Sequence, residues 1–155
     1  MANLLNNTIP AFSAQSTAGE VTNETLSGHY TVLYFYPKDN TSGCTLEGRD
    51  FAANYKAFKA LGCEIIGVSR DSLKSHGNFC AKQGFPFALI SDPEESLCNA
   101  FGVMKLKKLY GREYMGIDRS TFLIAPDGKV LREWRNVKVP GHVEAVLNAL
   151  RENVA

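Results

Sequence analysis

An α/β fold, with a mixed central sheet flanked by helices, is what this 155-residue chain predicts, and three observations carry it. Runs rich in β-branched and aromatic residues alternate with segments of helical periodicity. The first of those runs is apolar without polar alternation, as in strands covered on both faces. Near the C-terminus a Pro-Asp-Gly turn joins two further strand-like runs, which adds an antiparallel hairpin to the sheet.

The elements follow in order. Tyr30 to Tyr36 (YTVLYFY), ended by Pro37, predicts a central strand. From about Cys44 to Leu61 the apolar residues Phe51, Tyr55 and Phe58 recur at helical spacing, and Gly62 supplies the stop. Glu64 to Ser69 predicts a second buried strand. Asp71 and Ser72 are N-cap candidates for a helix running to about Gln83, with Gly84 just past its end. Phe87 to Ser91 predicts a third strand, and Pro93-Glu94-Glu95 opens a short helix through Phe101. The basic stretch after it, with Lys105, Lys107 and Lys108, reads as a solvated loop. Arg119 to Ala125, the turn Pro126-Asp127-Gly128 and Lys129 to Arg135 form the hairpin, and Gly141 to Glu152 a closing helix.

The chain is long enough for one sizeable core and too short for two comfortable domains, so a single domain is expected. Its 17 basic and 16 acidic residues are spread along the chain to a net charge of +1, which leaves no electrostatic footprint for nucleic acid or membrane. The opening residues, MANLLNNTIPAF, lack the basic and apolar regions of a signal peptide. Four cysteines without a secretory signal point to a reducing cytoplasm, where thiols serve in packing, metal binding or catalysis.

Chemistry concentrates in YFYPKDNTSGCTLEGRDF, where a buried strand hands over to a helix. Ends of strands in open α/β sheets are where sites form. Cys44 lies seven residues before Phe51, so both occupy the inward face, and the thiol sits at a helix N-terminus whose dipole and unpaired N–H groups favour a thiolate. Thr41, three residues earlier, can cap a backbone N–H or turn toward the sulfur. On the residues alone, a capped helix with a packing cysteine explains this segment equally well.

The pattern Pro37, Thr41, Cys44 within FYPKDNTSGCTLE resembles the active-site loop of peroxiredoxins, specifically the bacterioferritin comigratory protein (BCP or Q-type) subfamily. NFCAKQGFPFALIS, GREYMGIDRSTFLI and VKVPGHVEAVLNAL are similar to family segments in the same order, so the likeness covers most of the chain. It implies a thioredoxin-like fold and a thiol-dependent peroxidase acting on hydrogen peroxide and organic hydroperoxides. Cys44 would be the peroxidatic cysteine, shielded by Pro37, with Thr41, Gly43 and the backbone of Cys44 binding the peroxide oxygens and Arg119 completing the site. The residues agree for Arg119, since an arginine opening a buried strand needs an anionic partner, with a rim salt bridge as the alternative. Ionisation alone is a weak lever for any thiol. A pKa falling from about 8.5 to about 6 raises the thiolate fraction at pH 7 roughly thirtyfold, and a Brønsted slope of about 0.4 to 0.5 returns roughly tenfold of it. Donors aimed at the peroxide oxygens must supply the rest.

Where many family members carry a resolving cysteine, five residues on, this chain has Arg49, and Ser42 stands where proline is common. A second pattern in the subfamily places the resolving cysteine in the following helix, which implies Cys80. The alternative for Cys80 is packing, because Leu73 lies seven residues earlier and both would face inward. Cys63 and Cys98 read as structural. With no C-x-x-C and no Cys/His cluster, neither metal nor cofactor is expected. His29, His76 and His142 stand in no recognisable signature and read as surface residues. The expected partners are peroxide and thioredoxin or a similar dithiol, with the chain a monomer as is usual in the subfamily. Two rivals remain, a redox sensor or holdase that uses the same cysteine, and a cysteine hydrolase.

Overall fold

The structure, a computed structural model, describes residues 4–154. The signal-peptide reading falls partly on residues 1–3, outside the described residues. A seven-stranded mixed sheet runs in the order β2-β1-β5-β4-β3-β8-β9. Its strands are β1 (Ser13–Ser16), β2 (Gly19–Thr22), β3 (Tyr30–Phe35), β4 (Cys63–Ser69), β5 (Ala88–Ser91), β8 (Ser120–Ile124) and β9 (Val130–Trp134). The helices are α1 (Ser42–Ala53), α2 (Tyr55–Ala60), α3 (Leu73–Gln83), α4 (Ser96–Ala100) and α5 (His142–Val154). A separate antiparallel pair, β6 (Met104–Leu109) and β7 (Arg112–Ile117), stands apart from the sheet.

β3 is the axis. Val32, Tyr34 and Tyr36 enter one core with Phe51, Phe58 and the α5 residues Val143, Val146 and Leu150. Leu33 and Phe35 enter the other with Ile90, Leu97, Phe101 and Phe122. Strict alternation between two apolar layers is why the strand shows no polar face. β4 pairs parallel to β3, and β8 pairs antiparallel on its other side, with Phe35 opposite Ser120. That register sets Arg119 beside the end of β3, where the chain leaves for α1.

The structure corrects several expectations. The helix expected from Cys44 to Leu61 breaks at Asn54, whose side-chain amide donates to the Asp50 carbonyl at 2.9 Å and competes with the helical bonds there. Lys105, Lys107 and Lys108 lie on β6 of a hairpin, not in a loop. The turn Tyr110-Gly111 has both φ values positive, +52° and +77°, a geometry usually marked by Asn-Gly, so its tyrosine hid the signal. The β1–β2 hairpin was not anticipated, since its four-residue strands are too short for a periodic pattern. His76 and His142 are buried, not surface residues. Leu73 is exposed. α3 otherwise follows expectation, with Ser72 accepting from the Ser75 N–H and Gly84 closing the helix in the left-handed region.

Gly48 is required by a close approach. A Cβ there would run into the ring of Phe85, which is held between Phe79 and Phe87 at centroid distances of 5.0 and 5.2 Å. Alanine would gain about 1 kcal/mol of helix propensity, whereas forcing a packed aromatic aside costs about 1–3 kcal/mol. Gly48→Ala is therefore expected to destabilise the fold, and a urea midpoint above that of the wild type would show that Phe85 yields freely.

Candidate active site

Cys44 is the third residue of α1, so its N–H belongs to the first turn, where helical donors have no carbonyl to meet. Its side chain is 2% exposed. Arg119 reaches it from the position just before β8, with Nη2 donating to Cys44 Sγ at 3.4 Å and Nη1 donating to Glu47 Oε1 at 2.7 Å. Gly43 makes room for this, since a Cβ there would lie 3.1 Å from Nη2. Cys44, Arg119, Gly43 and Glu47 thus form one constellation.

Glu47 was not singled out in the sequence. It lies three residues after Cys44 on α1, so both point to the same side, and that spacing was the available signal. The carboxylate is fully buried, and Oε2 has no hydrogen-bond partner. Burial pushes its pKa up to about 7 against the pull of Arg119. Burial also works against the charge on Arg119, but the charges of Glu47 and Cys44 and the hydrogen bonds to both outweigh it, and its pKa rises.

The other expected residues divide. Thr41 is the N-cap of α1 by backbone geometry, but its hydroxyl donates to the Lys38 carbonyl at 2.8 Å and makes no cap bond, so neither expected use of that hydroxyl is seen. Pro37 and Arg119 both line a cavity of about 460 Å³ that opens beneath the hairpin residues Lys105, Lys107 and Tyr114. Cys80 is half-buried on α3, its sulfur 4.0 Å from the Phe87 carbonyl, and burial raises its pKa. All four cysteines are free thiols. Burial pushes Cys63 up to about 12 and Cys98 higher still, which leaves both unreactive near neutral pH.

The buried histidines belong to other networks. His142 bonds Thr121 Oγ1 at 2.8 Å, and burial, with Arg119 second, lowers its pKa to about 4. His76 meets Asp39 Oδ2 at 2.8 Å through Nδ1 and the Ile90 carbonyl at 2.9 Å through Nε2. The Tyr36 and Ser75 hydroxyls donate to the same carboxylate at 2.6 and 2.7 Å. Burial works against that charge, but the bonds from His76, Tyr36 and Ser75 hold Asp39 below the usual carboxylate range. Asp39, Asp71 and His76 bring three potential ligand atoms within 4.8 Å of one another. Asp71 Oδ2 accepts from the Asp39 N–H and the Ser69 hydroxyl, so these groups are already saturated by protein donors and acceptors and fit a hydrogen-bond network better than a metal site.

Against this geometry the comparisons with known proteins decide the family. The sequence matches AhpC/TSA over residues 5–132. The chain belongs to the AhpC/TSA family. Peroxiredoxin Bcp of Xanthomonas campestris pv. campestris is 59% identical over 125 residues, 81% of this chain and 78% of that protein. A structure of the X. campestris bacterioferritin comigratory protein, from work on its alkyl peroxide reduction through trapped intermediate/ligand complexes, superposes with a TM-score of 0.89 at 51% identity. It covers 93% of this chain and 92% of that one. A mutant of Xylella fastidiosa PrxQ superposes with a TM-score of 0.94 at 42% identity over the full length of both chains. This peroxiredoxin therefore has the thioredoxin-like fold of its Q-type relatives, as the resemblance implied. Among the described residues no helix is long and apolar enough to cross a membrane.

The Glu47 carboxyl carries a pH signature. A folded pKa raised from 4.5 to about 7 means that its contribution to stability is complete below about pH 4.5 and is lost as pH rises through 7. Relative to Glu47→Gln, the wild type should lose on the order of 1–3 kcal/mol between pH 5 and pH 8. A difference between the two that stays flat across that range would show that Glu47 is ionised throughout.

Proposed function

We propose that Cys44 is the nucleophile of this peroxidase and Arg119 its principal transition-state donor. The thiolate attacks one peroxide oxygen, the S–O bond forms as the O–O bond breaks, and the leaving alkoxide or hydroxide takes up a proton to give an alcohol or water. Cys44 is left as a sulfenic acid. The observation that carries the reading is the guanidinium shared between Cys44 Sγ and a fully buried carboxylate. Glu47 fixes the fork, Nη2 faces the sulfur, and a peroxide entering over Pro37 meets this donor as negative charge grows on its departing oxygen. The N–H groups of Gly43 and Cys44 at the start of α1 are the complementary donors. Thr41 joins them once its hydroxyl leaves the Lys38 carbonyl for the peroxide.

Cys80 resolves the sulfenic acid as an intramolecular disulfide, and thioredoxin or a similar dithiol reduces that bond. Its half-exposure supports this role, because Cys63 and Cys98 are sealed in the core. The chain works as a single-domain monomer in the reducing cytoplasm, on hydrogen peroxide and on organic hydroperoxides such as the alkyl peroxides reduced by its X. campestris relative. The hydrolase alternative has no support in the geometry, since the imidazoles of His76 and His142 are engaged by Asp39, Ile90 and Thr121 rather than by Cys44.

Cys44→Ser should abolish peroxide consumption in a coupled thioredoxin assay, because a hydroxyl does not ionise near neutral pH. Arg119→Ala should keep the fold and slow sulfenate formation about ten- to a thousandfold, the range for loss of one transition-state donor. Turnover above a few per cent in the first variant, or an unchanged oxidation rate in the second, contradicts the assignment. A protein that only senses peroxide would oxidise once and stop.

A further inference from the structure

The segments that carry Cys44 and Cys80 are tied to the same buried carboxylate. Asp39 lies in the loop five residues before Cys44, and His76 lies one helical turn before Cys80 on α3. The ring meets Asp39 Oδ2 at 2.8 Å, the neighbouring Ser75 hydroxyl donates to the same oxygen at 2.7 Å, and the far ring nitrogen meets the Ile90 carbonyl at the end of the sheet. His76 is 0% exposed and Asp39 4%. Beyond Phe79, one turn further on, α3 is weakly held. Gly77 faces open space, Phe79 is the last fully buried side chain, and the Cys80 carbonyl accepts the closing bonds of the helix from the Gly84 and Phe85 N–H groups at 2.8 and 3.1 Å. Fraying from Gly84 therefore releases Cys80 first and reaches His76 last.

We infer that the Asp39–His76 contact is the pivot of the resolution step. The last turn of α3 unwinds and swings Cys80 onto Cys44 while His76 stays clasped to the active-site loop, which makes His76 a positioning residue. The inference rests on the assignment of Cys80 as resolver. In the step itself the Cys80 sulfur attacks the Cys44 sulfur, S–S forms, and the sulfenic hydroxyl leaves with the Cys80 proton as water. The oxidising equivalents come entirely from the peroxide already consumed. Unwinding also returns the Cys80 thiol to water, which relieves the burial that opposes its ionisation.

Chain statistics set the size of the effect. The β3–β4 pairing already joins the two segments at Phe35 and Val68, so without the clasp Cys44 and Cys80 are about 21 residues apart by the shortest route, against about nine through it; closure probability falls as the −3/2 power of length, so the clasp accelerates bridging about three- to fourfold. The four residues from His76 to Cys80 span roughly 13 Å when extended, which is the sweep available to the thiol.

The test compares wild type, His76→Gln, Ser75→Ala and Cys80→Ser after rapid mixing with one equivalent of hydrogen peroxide, with sulfenate and disulfide separated by mass spectrometry. His76→Gln should form sulfenate at the wild-type rate and disulfide about three- to fourfold more slowly. Higher peroxide should then convert more of its Cys44 to sulfinate, because the sulfenate lives longer. Ser75→Ala, which leaves the ring in place, should slow bridging in the same direction by less. In oxidised wild type, amides from Phe79 to Gln83 should exchange rapidly while the His76 amide, bonded to the Ser72 carbonyl at 3.0 Å, stays protected. Bridging as fast as wild type or faster in His76→Gln, or loss of protection at His76, overturns the pivot. If His76→Gln does not fold, Ser75→Ala and the exchange pattern decide. An internal disulfide at Cys44 in Cys80→Ser would instead overturn the resolver assignment.

Discussion

The ion pair of Arg119 with Glu47 is the interaction on which the rest of the site depends. The carboxylate is completely buried and the guanidinium is 17% exposed, so neither charge is solvated as it would be in water. Buried pairs of this kind contribute little net stability, and removing one partner strands the other at a cost of about 3–5 kcal/mol. Their use here is positional. A planar fork fixed at one tip by Glu47 leaves its second tip aimed at Cys44, a geometry that a flexible lysine ammonium could not hold.

The sheet supplies the alignment for that pair. β3 and β8 run antiparallel with Phe35 opposite Ser120, so the residue before β8 and the loop after β3 meet at one edge. α1 then begins at Ser42 and presents its unpaired N–H groups to the same point. Close approach is possible because Gly43 and Gly48 carry no side chain, the first facing Arg119 and the second facing Phe85. The two proposed redox cysteines sit in contrasting settings. Cys44 rests in a rigid, charged pocket, while Cys80 rides on the weakly held end of a helix. One site favours a prepared transition state, and the other favours local opening.

Much of this was legible in the sequence, and the exceptions have physical causes. YTVLYFY announced a two-sided strand because both of its faces are apolar, and Ser72 with Gly84 bounded α3 because capping chemistry is local. Cys44 and Arg119 were found through motif and through the need of a buried arginine for an anion. The anion itself was missed, since a glutamate at helical spacing reads as surface unless its burial is known. His76 and His142 were misread for a related reason: a histidine satisfied by Asp39 or Thr121 depends on residues far away in sequence. The β6–β7 hairpin escaped because its strands carry lysines and exposed side chains, and its Tyr110-Gly111 turn lacks the usual asparagine. Thr41 shows a further limit, as spacing gave its backbone role at the helix start but not the direction of its hydroxyl.

The most direct test of the whole account is peptide mapping of the wild-type protein after a single equivalent of peroxide under non-reducing conditions. A single intramolecular bridge between Cys44 and Cys80, with Cys63 and Cys98 still alkylatable as free thiols after denaturation, is the predicted result. A bridge that includes Cys63 or Cys98, or oxidation that leaves Cys44 as a free thiol, would contradict it.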